Sequence, residues 1–153
     1  MTKEELLQKL AEFEQEDLSV ALKAAQAAKR ARTEGFYFLH YFFEEERIEE
    51  SVGQSLVTIP VTELVMNPAK MLHGGVTAFI CDNVMGMASY MEKGRSGVTL
   101  DLSVRYHKPG KGARLIARGE VVSAGSRINS ARCEVRDEQG SLIATATGSF
   151  YHR

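Results

Sequence analysis

A chain of 153 residues is long enough for one compact domain and too short for two large ones. Its 44% hydrophobic and 25% charged residues are typical of a soluble globule, and its formal net charge of -1 gives no reason to expect nucleic-acid binding. No apolar run approaches the ~18 residues of a membrane span, so we expect no membrane partner.

The sequence around the two cysteines and at the N-terminus bears on compartment and cofactors. The first residues lack the charged-then-apolar order of a signal peptide, so a cytoplasmic location is expected. Cys81 and Cys133 lie far apart without metal-type spacing and are expected to be reduced thiols. Since no glycine-rich phosphate loop is present either, we expect no metal and no bound cofactor.

Helical periodicity runs from about Lys3 to Arg32, and Gly35 ends it. This region is predicted to be an accessory helix packed on the protein body or, as an alternative, a partner-binding arm. Its modest apolar stripe favours packing. The strongly aromatic segment 36–43 follows. We interpret it as a short helix or turn that plugs the core, with an acyl-binding wall as the other possibility.

The rest of the chain predicts one long helix among strands. Alternating residues from Ile48 to Val61 indicate a hairpin, and a broad apolar band from His73 to Lys93 indicates a helix. Four further strands joined by short turns predict an antiparallel meander whose apolar face the helix covers. Their predicted bounds are Val98–His107, Ala113–Ala124, Ile128–Arg136 and Ser141–Tyr151.

The start of the long helix carries the pattern with the clearest chemical meaning. His73, Gly74 and Gly75 directly precede the apolar run, and Asp82 lies inside it. Glycines let a ligand approach the backbone closely, and the free N–H groups and dipole of a first helical turn can hold a developing oxyanion. Because a nearby carboxylate can act as base or nucleophile, the pattern predicts acyl transfer or hydrolysis.

With these features the chain resembles the hotdog-fold acyl-CoA thioesterases, specifically the PaaI-like (phenylacetate-degradation-type) group. The resemblance covers roughly residues 36–151. It implies an α+β hotdog fold, an antiparallel β-sheet wrapped around one long central helix, in a domain of residues 36–153. Residues 1–35 would form an N-terminal helical extension. The matching residues are Asn67, the L-H-G-G of Leu72–Gly75, Asp82, Gly97-Val98-Thr99, and Tyr106 followed by Pro109.

The resemblance implies a catalytic role for several matched residues. Asp82 would activate water or attack the thioester carbonyl, which the backbone N–H of Gly74 would polarise. His73 and Asn67 would line the site, and Thr99 would hydrogen-bond the attacking water. Simpler explanations stay open: a cap or loop-fixing group for His73, a turn residue for Asn67 and an ordinary strand residue for Thr99.

Coenzyme A carries several phosphate charges, so its site is expected to have a cationic rim. Basic residues at a strand end and the next turn are candidates, although an ordinary solvated turn would look the same. Gly75 joins them because a glycine at the helix start admits a ligand. The substrate-binding candidates are therefore Gly75, Arg105, Lys108 and Lys111, with Arg127 in the following turn.

The spacing along the helix bears on oligomeric state. Gly74 and Asp82 are eight residues apart, which is ~12 Å at 1.5 Å per residue. Both cannot contact one carbonyl carbon within a chain, but the acid of a second chain could close the gap. The resemblance likewise implies a homodimer with shared active sites, paired again into a homotetramer.

The predicted activity is hydrolysis of an aryl- or medium-chain acyl-CoA to the free acid and CoA. Coenzyme A is then part of the substrate. One alternative is a hotdog dehydratase or hydratase, whose usual motif differs from L-H-G-G followed by an acid. The other is a non-catalytic acyl-CoA sensor, which the presence of Asp82 and the lack of a helix-turn-helix pattern disfavour.

Overall fold

The structure, a computed structural model, describes every residue from Met1 to Arg153. These form two compact units, residues 1–44 and residues 45–153. The aromatic segment 36–43 therefore groups with the first unit, whereas the predicted boundary at residue 36 placed it in the second domain. The first unit contains three helices, α1 (Lys3–Leu10), α2 (Gln15–Glu34) and α3 (Phe38–Phe42).

The first unit is held together by contacts between α2 and the aromatic helix α3. The predicted N-terminal helix is interrupted after Leu10, and its second part ends at Gly35, whose φ of +86° suits glycine. The Arg30 guanidinium lies 4.2 Å from the centre of the Tyr41 ring, and Lys23 pairs with Glu44 at 2.8 Å. The aromatic segment is thus a short helix, as one alternative predicted, and it packs against α2.

The second unit is one antiparallel sheet with one long helix. Between β2 and the helix lies a single 3₁₀ turn, Glu63–Val65. The predicted hairpin, helix and four later strands are all present, with ends shifted by a few residues. Their bounds are β1 (Glu46–Ser51), β2 (Gln54–Pro60), α4 (Gly74–Lys93), β3 (Gly97–Tyr106), β4 (Arg114–Ala124), β5 (Ile128–Asp137) and β6 (Leu142–His152).

The order of strands across the sheet is β1-β2-β4-β5-β6-β3, and every pairing is antiparallel. The predicted four-strand meander is therefore wrong in one respect, because β3 pairs with β6 and β4 pairs with β2. The connection from β3 to β4 spans residues 107–113, longer than a usual hairpin loop, and carries the chain from the sheet edge to its middle. Strand β3 is left as an edge strand.

Helix α4 lies across the sheet and supplies the centre of the core. Its buried residues recur at helical spacing, and each large apolar one stabilises the fold by about 1.5–3 kcal/mol. Small strand residues let the helix come close: a Cβ on Gly119 would lie 2.6 Å from the Val84 carbonyl oxygen. The buried residues of α4 are Thr77, Ile80, Cys81, Val84, Met85, Ala88 and Ser89. The predicted α+β architecture of a sheet around one helix is confirmed.

Two polar features lie inside this core. Ser89 Oγ lies 2.8 Å from His152 Nε2 and accepts a hydrogen bond from Asn129 Nδ2 at 3.0 Å, and all three residues are buried. The second feature is the thiol pair. Cys81 and burial raise the pKa of the Cys133 thiol, which therefore stays protonated. Both cysteines are free and buried, as expected for reduced thiols.

Candidate active site

The first turn of α4 is shaped by His73, which is its N-cap. The Nδ1 atom of His73 accepts a hydrogen bond from the Gly75 N–H at 2.9 Å, and the His73 N–H donates to the Val65 carbonyl at 2.9 Å. A Cβ on residue 75 would lie 3.1 Å from that Nδ1 atom. The imidazole is thus engaged as a cap, and Gly75 gives its N–H to the cap.

Gly74 presents the free backbone donor of the turn. Its N–H has no hydrogen-bond partner within the chain, as the first residue of a helix requires. Its carbonyl accepts a hydrogen bond from the Tyr106 hydroxyl at 2.7 Å. A Cβ on residue 74 would lie 3.3 Å from that hydroxyl, so Gly74 and Tyr106 approach each other closely. In sequence, Tyr106 matches the family pattern but carries no predicted role, because only folding brings it to Gly74.

Asn67 fixes the loop that leads to the helix. Its Oδ1 atom accepts hydrogen bonds from the N–H groups of Ala69 at 2.9 Å and Met71 at 3.1 Å. The turn role considered for Asn67 is therefore present in the structure. Asn67 also lines a cavity beside the helix start, so its turn role and a place in the site are compatible.

The candidate carboxylate, Asp82, lies about two turns beyond the start of α4. Asp82 is half-buried, and its Oδ1 atom accepts a hydrogen bond from the Thr99 hydroxyl at 2.9 Å. Thr99 is near the start of β3, on the strand that follows the helix. The hydroxyl holds one carboxylate oxygen in place, which leaves the other oxygen available to a water or a carbonyl carbon.

Within one chain these residues form two separate groups. Gly74 and Tyr106 mark the start of α4, whereas Asp82 and Thr99 lie about two helical turns further on. On β3, Thr99 and Tyr106 are seven residues apart, or roughly 23 Å of extended strand. Within one chain, the free N–H of Gly74 and the carboxylate of Asp82 are therefore too far apart to contact the same carbonyl group.

A cavity of about 280 Å³ opens next to the first group. Apolar side chains from the loop and from β6 form much of its wall, and Lys108 adds a positive charge. Its lining residues are Asn67, Met71, Leu72, Thr77, Tyr106, His107, Lys108, Pro109, Gly110 and Ile143. Lys111 lies exposed in the same connection between β3 and β4.

The structure does not bring the predicted basic residues into one cluster. Arg105 precedes Tyr106 on β3, and since successive side chains alternate, it points to the opposite face of the sheet from Tyr106. Arg127 lies at the far end of β6, where its carbonyl accepts from the His152 N–H at 2.7 Å. Of the basic candidates, Lys108 alone lines the cavity.

The geometry suits attack on a carbonyl. A free N–H at a helix N-terminus stabilises negative charge on oxygen, and an oriented carboxylate accepts a proton or attacks carbon. No group of three or more histidine, cysteine, aspartate or glutamate side chains is arranged to hold a metal ion. No helix combines the length and apolar character needed to cross a membrane.

Comparison with known proteins matches this chemistry to a family. The model of the thioesterase superfamily matches residues 69–144, which include the helix start, Asp82 and β3. The medium/long-chain acyl-CoA thioesterase YigI of Escherichia coli is 30% identical over 154 residues, covering 87% of this chain and 98% of that protein. The chain belongs to the hotdog-fold acyl-CoA thioesterases.

Two further proteins extend the comparison. A Bacillus halodurans protein solved with CoA is 29% identical, with a TM-score of 0.79 over 98% of this chain and 99% of that chain. A putative esterase of Haemophilus influenzae is 28% identical, and the chain spans 66% of its length, just under two thirds. The predicted fold class and the prediction of a thioester hydrolase are confirmed. Membership of the PaaI-like group stays a prediction.

Proposed function

We propose that this thioesterase hydrolyses aryl- or medium-chain acyl-CoA to the free acid and CoA, with Gly74 and Asp82 as its catalytic groups. The observation that carries the proposal is the free N–H of Gly74 at the start of α4, combined with a carboxylate held by Thr99. One group polarises the carbonyl and the other supplies the base or nucleophile, which are the two requirements of acyl hydrolysis.

Gly74 acts on the carbonyl oxygen. Attack on the thioester makes that oxygen negative, and the N–H of Gly74, at the positive end of the helix dipole, stabilises it. The hydrogen bond from Tyr106 to the Gly74 carbonyl at 2.7 Å holds this peptide in position. The His73 cap fixes the next N–H, so the turn needs no rearrangement when substrate binds.

Asp82 acts on the carbonyl carbon, in one of two ways. As a general base it takes a proton from water, whose hydroxide adds to the carbon; the C–S bond then breaks and the thiolate of CoA takes up a proton. As a nucleophile it displaces the thiolate and forms an anhydride that water cleaves. Thr99 supports both, because its 2.9 Å hydrogen bond orients the carboxylate.

The two groups would meet in a homodimer with shared sites. One chain alone separates Gly74 from Asp82 by ~12 Å along α4. Strand β3 is a sheet edge with exposed apolar side chains, including Val98 at 62% and Leu100 at 55% exposure, which suits burial against another chain. Further pairing of dimers into a homotetramer belongs to the same proposal.

Acyl-CoA as substrate is supported by the relatives. The Escherichia coli protein is named a medium/long-chain acyl-CoA thioesterase, and the Bacillus halodurans structure contains CoA. Here Lys108 beside the cavity and Lys111 in the same connection are the cations best placed to meet CoA phosphates. The apolar part of the cavity would face the less polar part of the substrate.

The test is release of free thiol from a panel of aryl and aliphatic acyl-CoAs. We expect turnover with at least one class, and the ratio of kcat/KM values ranks the acyl groups. Lys108→Ala should raise KM for acyl-CoA more than for the corresponding acyl-pantetheine, which lacks the nucleotide phosphates. Absence of turnover with every acyl-CoA, while CoA still binds, would overturn the proposal and favour a sensor.

A further inference from the structure

A second cavity, of about 340 Å³, lies where β3 begins and β6 ends. Its lining residues are Ser96, Gly97, Val98, Tyr151 and Arg153. Tyr106, beside the cavity at the start of α4, is nine residues beyond Gly97 on β3, or roughly 30 Å of extended strand. Within one chain the two cavities are therefore separate.

Three arginines come from the segments that meet at this second cavity. Arg153 lines it directly. The preceding residue, His152, donates its backbone N–H to the Arg127 carbonyl at 2.7 Å. The Nδ1 atom of the same histidine lies 3.1 Å from the Arg95 carbonyl oxygen. The backbones at the three arginine positions are thus held close together, and all three side chains are exposed.

These positive charges have no acidic partner. None of the three arginines takes part in a salt bridge, whereas other arginines of the sheet pair with glutamates, for example Arg136 with Glu134 at 2.8 Å. The segments that carry the three arginines, residues 93–100, 124–133 and 141–153, contain no aspartate or glutamate. The positive charge at this end of the sheet is therefore unbalanced, and it attracts an anion.

Two residues at the end of α4 also bear on the local charge. Lys93 donates from its Nζ atom to the Gly125 carbonyl, in the turn that carries Arg127, and adds a fourth cation. Glu92 precedes it, but its carboxylate is directed at the turn between β1 and β2, where a Cβ on Gly53 would lie 3.0 Å from Oε2. The nearest acid in sequence thus lies against another part of the sheet.

The chemistry of the cavity suits a phosphorylated nucleotide. Each guanidinium can bind a phosphate through two parallel hydrogen bonds. The Ser96 hydroxyl is exposed and can donate to a phosphate oxygen, and the half-buried Tyr151 ring on the wall can stack with a base. A volume of about 340 Å³ lies in the range of small-molecule sites, ~300–1,000 Å³. The size favours a single nucleotide over a polymer.

We infer that this cavity is a second ligand site that binds the phosphate groups of a nucleotide, with Arg95, Arg127 and Arg153 as its phosphate-binding residues. The inference goes beyond the proposed activity, because it requires neither Gly74 nor Asp82. Two sources present this chemistry. One is a free nucleotide, and the other is the nucleotide end of an acyl-CoA.

The two sources differ in their relation to the candidate active site. An irregularity in β3 between Thr99 and Asp101 turns Thr99 towards α4, where it holds Asp82. Val98, directly before Thr99, lines the second cavity. An acyl-CoA whose thioester lies at Asp82 could therefore extend its nucleotide end into this cavity, and that source rests on the proposed function. A free nucleotide would instead be an effector that binds without substrate.

The test is isothermal titration calorimetry of the full chain with ATP and with adenosine 3′,5′-bisphosphate, the phosphorylated nucleoside of CoA. We expect saturable binding of at least one of them, and binding of adenosine at least about tenfold weaker. Arg95→Ala, Arg127→Ala and Arg153→Ala should each raise the Kd by about tenfold, since each removes a hydrogen bond between charged groups. Arg153→Lys should lose part of the affinity, because an ammonium group cannot form two parallel bonds.

Arg32→Ala is the matched control, since Arg32 is another exposed arginine without an acidic partner, on α2 in the first compact unit. It should keep the wild-type Kd, and circular dichroism checks the fold of every variant. The inference is overturned if the wild type binds neither nucleotide, or if adenosine binds as tightly as they do. It is also overturned if all three cavity variants keep the wild-type Kd, or if Arg32→Ala loses as much affinity.

Competition and kinetics separate the two sources. If the nucleotide end of acyl-CoA occupies the cavity, CoA displaces the bound nucleotide. The three variants then raise KM for acyl-CoA and leave KM for the corresponding acyl-pantetheine unchanged. If a free nucleotide occupies the cavity, its Kd is the same at saturating CoA, and KM for acyl-CoA stays at the wild-type value. Either result retains the site.

The outcome is separable from the proposed function, because nucleotide binding is measured without turnover. Nucleotide binding that depends on the three arginines, without thioesterase activity, would retain this site and overturn the catalytic proposal. Thioesterase activity in a chain that binds neither nucleotide would do the reverse.

Discussion

Replacing Asp82 with asparagine is the sharpest test of the catalytic assignment. The change removes the charge and keeps the side-chain shape and an oxygen that can accept the Thr99 hydrogen bond, now 2.9 Å long. An amide can neither take a proton from water nor attack a carbonyl carbon. We expect kcat to fall by about 100-fold or more, the range for loss of a general base, which is about 2.7 kcal/mol of transition-state stabilisation.

The effect on stability should be much smaller than the effect on rate. A hydrogen bond to a charged acceptor contributes about 1.5–3 kcal/mol and one to a neutral acceptor about 0.5–1.5 kcal/mol. Asp82→Asn should therefore cost about 1 kcal/mol, and a chain of this size would lose about 2–4 °C in Tm. Unfolding on that scale cannot account for a 100-fold loss of rate at assay temperature.

Thiol release under saturating acyl-CoA measures kcat, and a thermal melt of the same preparation measures Tm. Glu92→Gln is the matched control, because it makes the same charge change on the same helix ten residues further along, roughly 15 Å from Asp82. It should keep wild-type kcat. A fall of less than tenfold in Asp82→Asn, or an equal fall in Glu92→Gln, would refute the role of Asp82.

Three further predictions concern the helix start and the buried network. Gly74→Ala puts a Cβ 3.3 Å from the Tyr106 hydroxyl, so it should lower kcat at least tenfold. Tyr106→Phe keeps the ring and should lower kcat less. Steady-state thiol release compares the two variants. If His73 serves as a cap, His73→Asn should keep most of the activity, because asparagine also caps helices. His73→Ala should lose about 1 kcal/mol of stability in urea unfolding. A sharp loss of kcat in both variants would instead indicate proton transfer by His73. Ser89→Ala removes the hydroxyl that His152 Nε2 and the buried Asn129 amide both contact. Thermal melts should show a fall in Tm of about 2–12 °C, and kinetics should show an unchanged KM.

What the sequence could predict depended on how local each feature is. The His73-Gly74-Gly75 start of α4 is decided by neighbouring residues, so its helix-capping geometry followed from the pattern. The pairing of β3 did not follow, because alternation shows that a segment is a strand and says nothing of which strand lies beside it. Connection length carried the missing signal, since residues 107–113 exceed a usual hairpin loop.

The basic residues illustrate the same limit. Arg105, Lys108 and Lys111 are close in sequence and were predicted to form one cationic rim. Strand alternation alone separates Arg105 from the neighbouring Tyr106, so this part of the separation was available from the sequence. The irregularity between Thr99 and Asp101 was not, although it decides that Thr99 turns towards α4 and reaches Asp82.

The position of the carboxylate depends on how deeply α4 packs into the sheet. Gly119 lets the Val84 backbone come closer to β4 than any side chain would permit, and Val84 lies two residues after Asp82. On the other side of the helix, β3 supplies the Thr99 hydroxyl that holds Asp82 at 2.9 Å. The carboxylate is therefore placed by a core glycine and an edge-strand threonine together. Packing of α4 in the interior and the hydrogen bond from the edge strand thus position the same carboxylate, which the proposed homodimer would bring to Gly74 of a second chain.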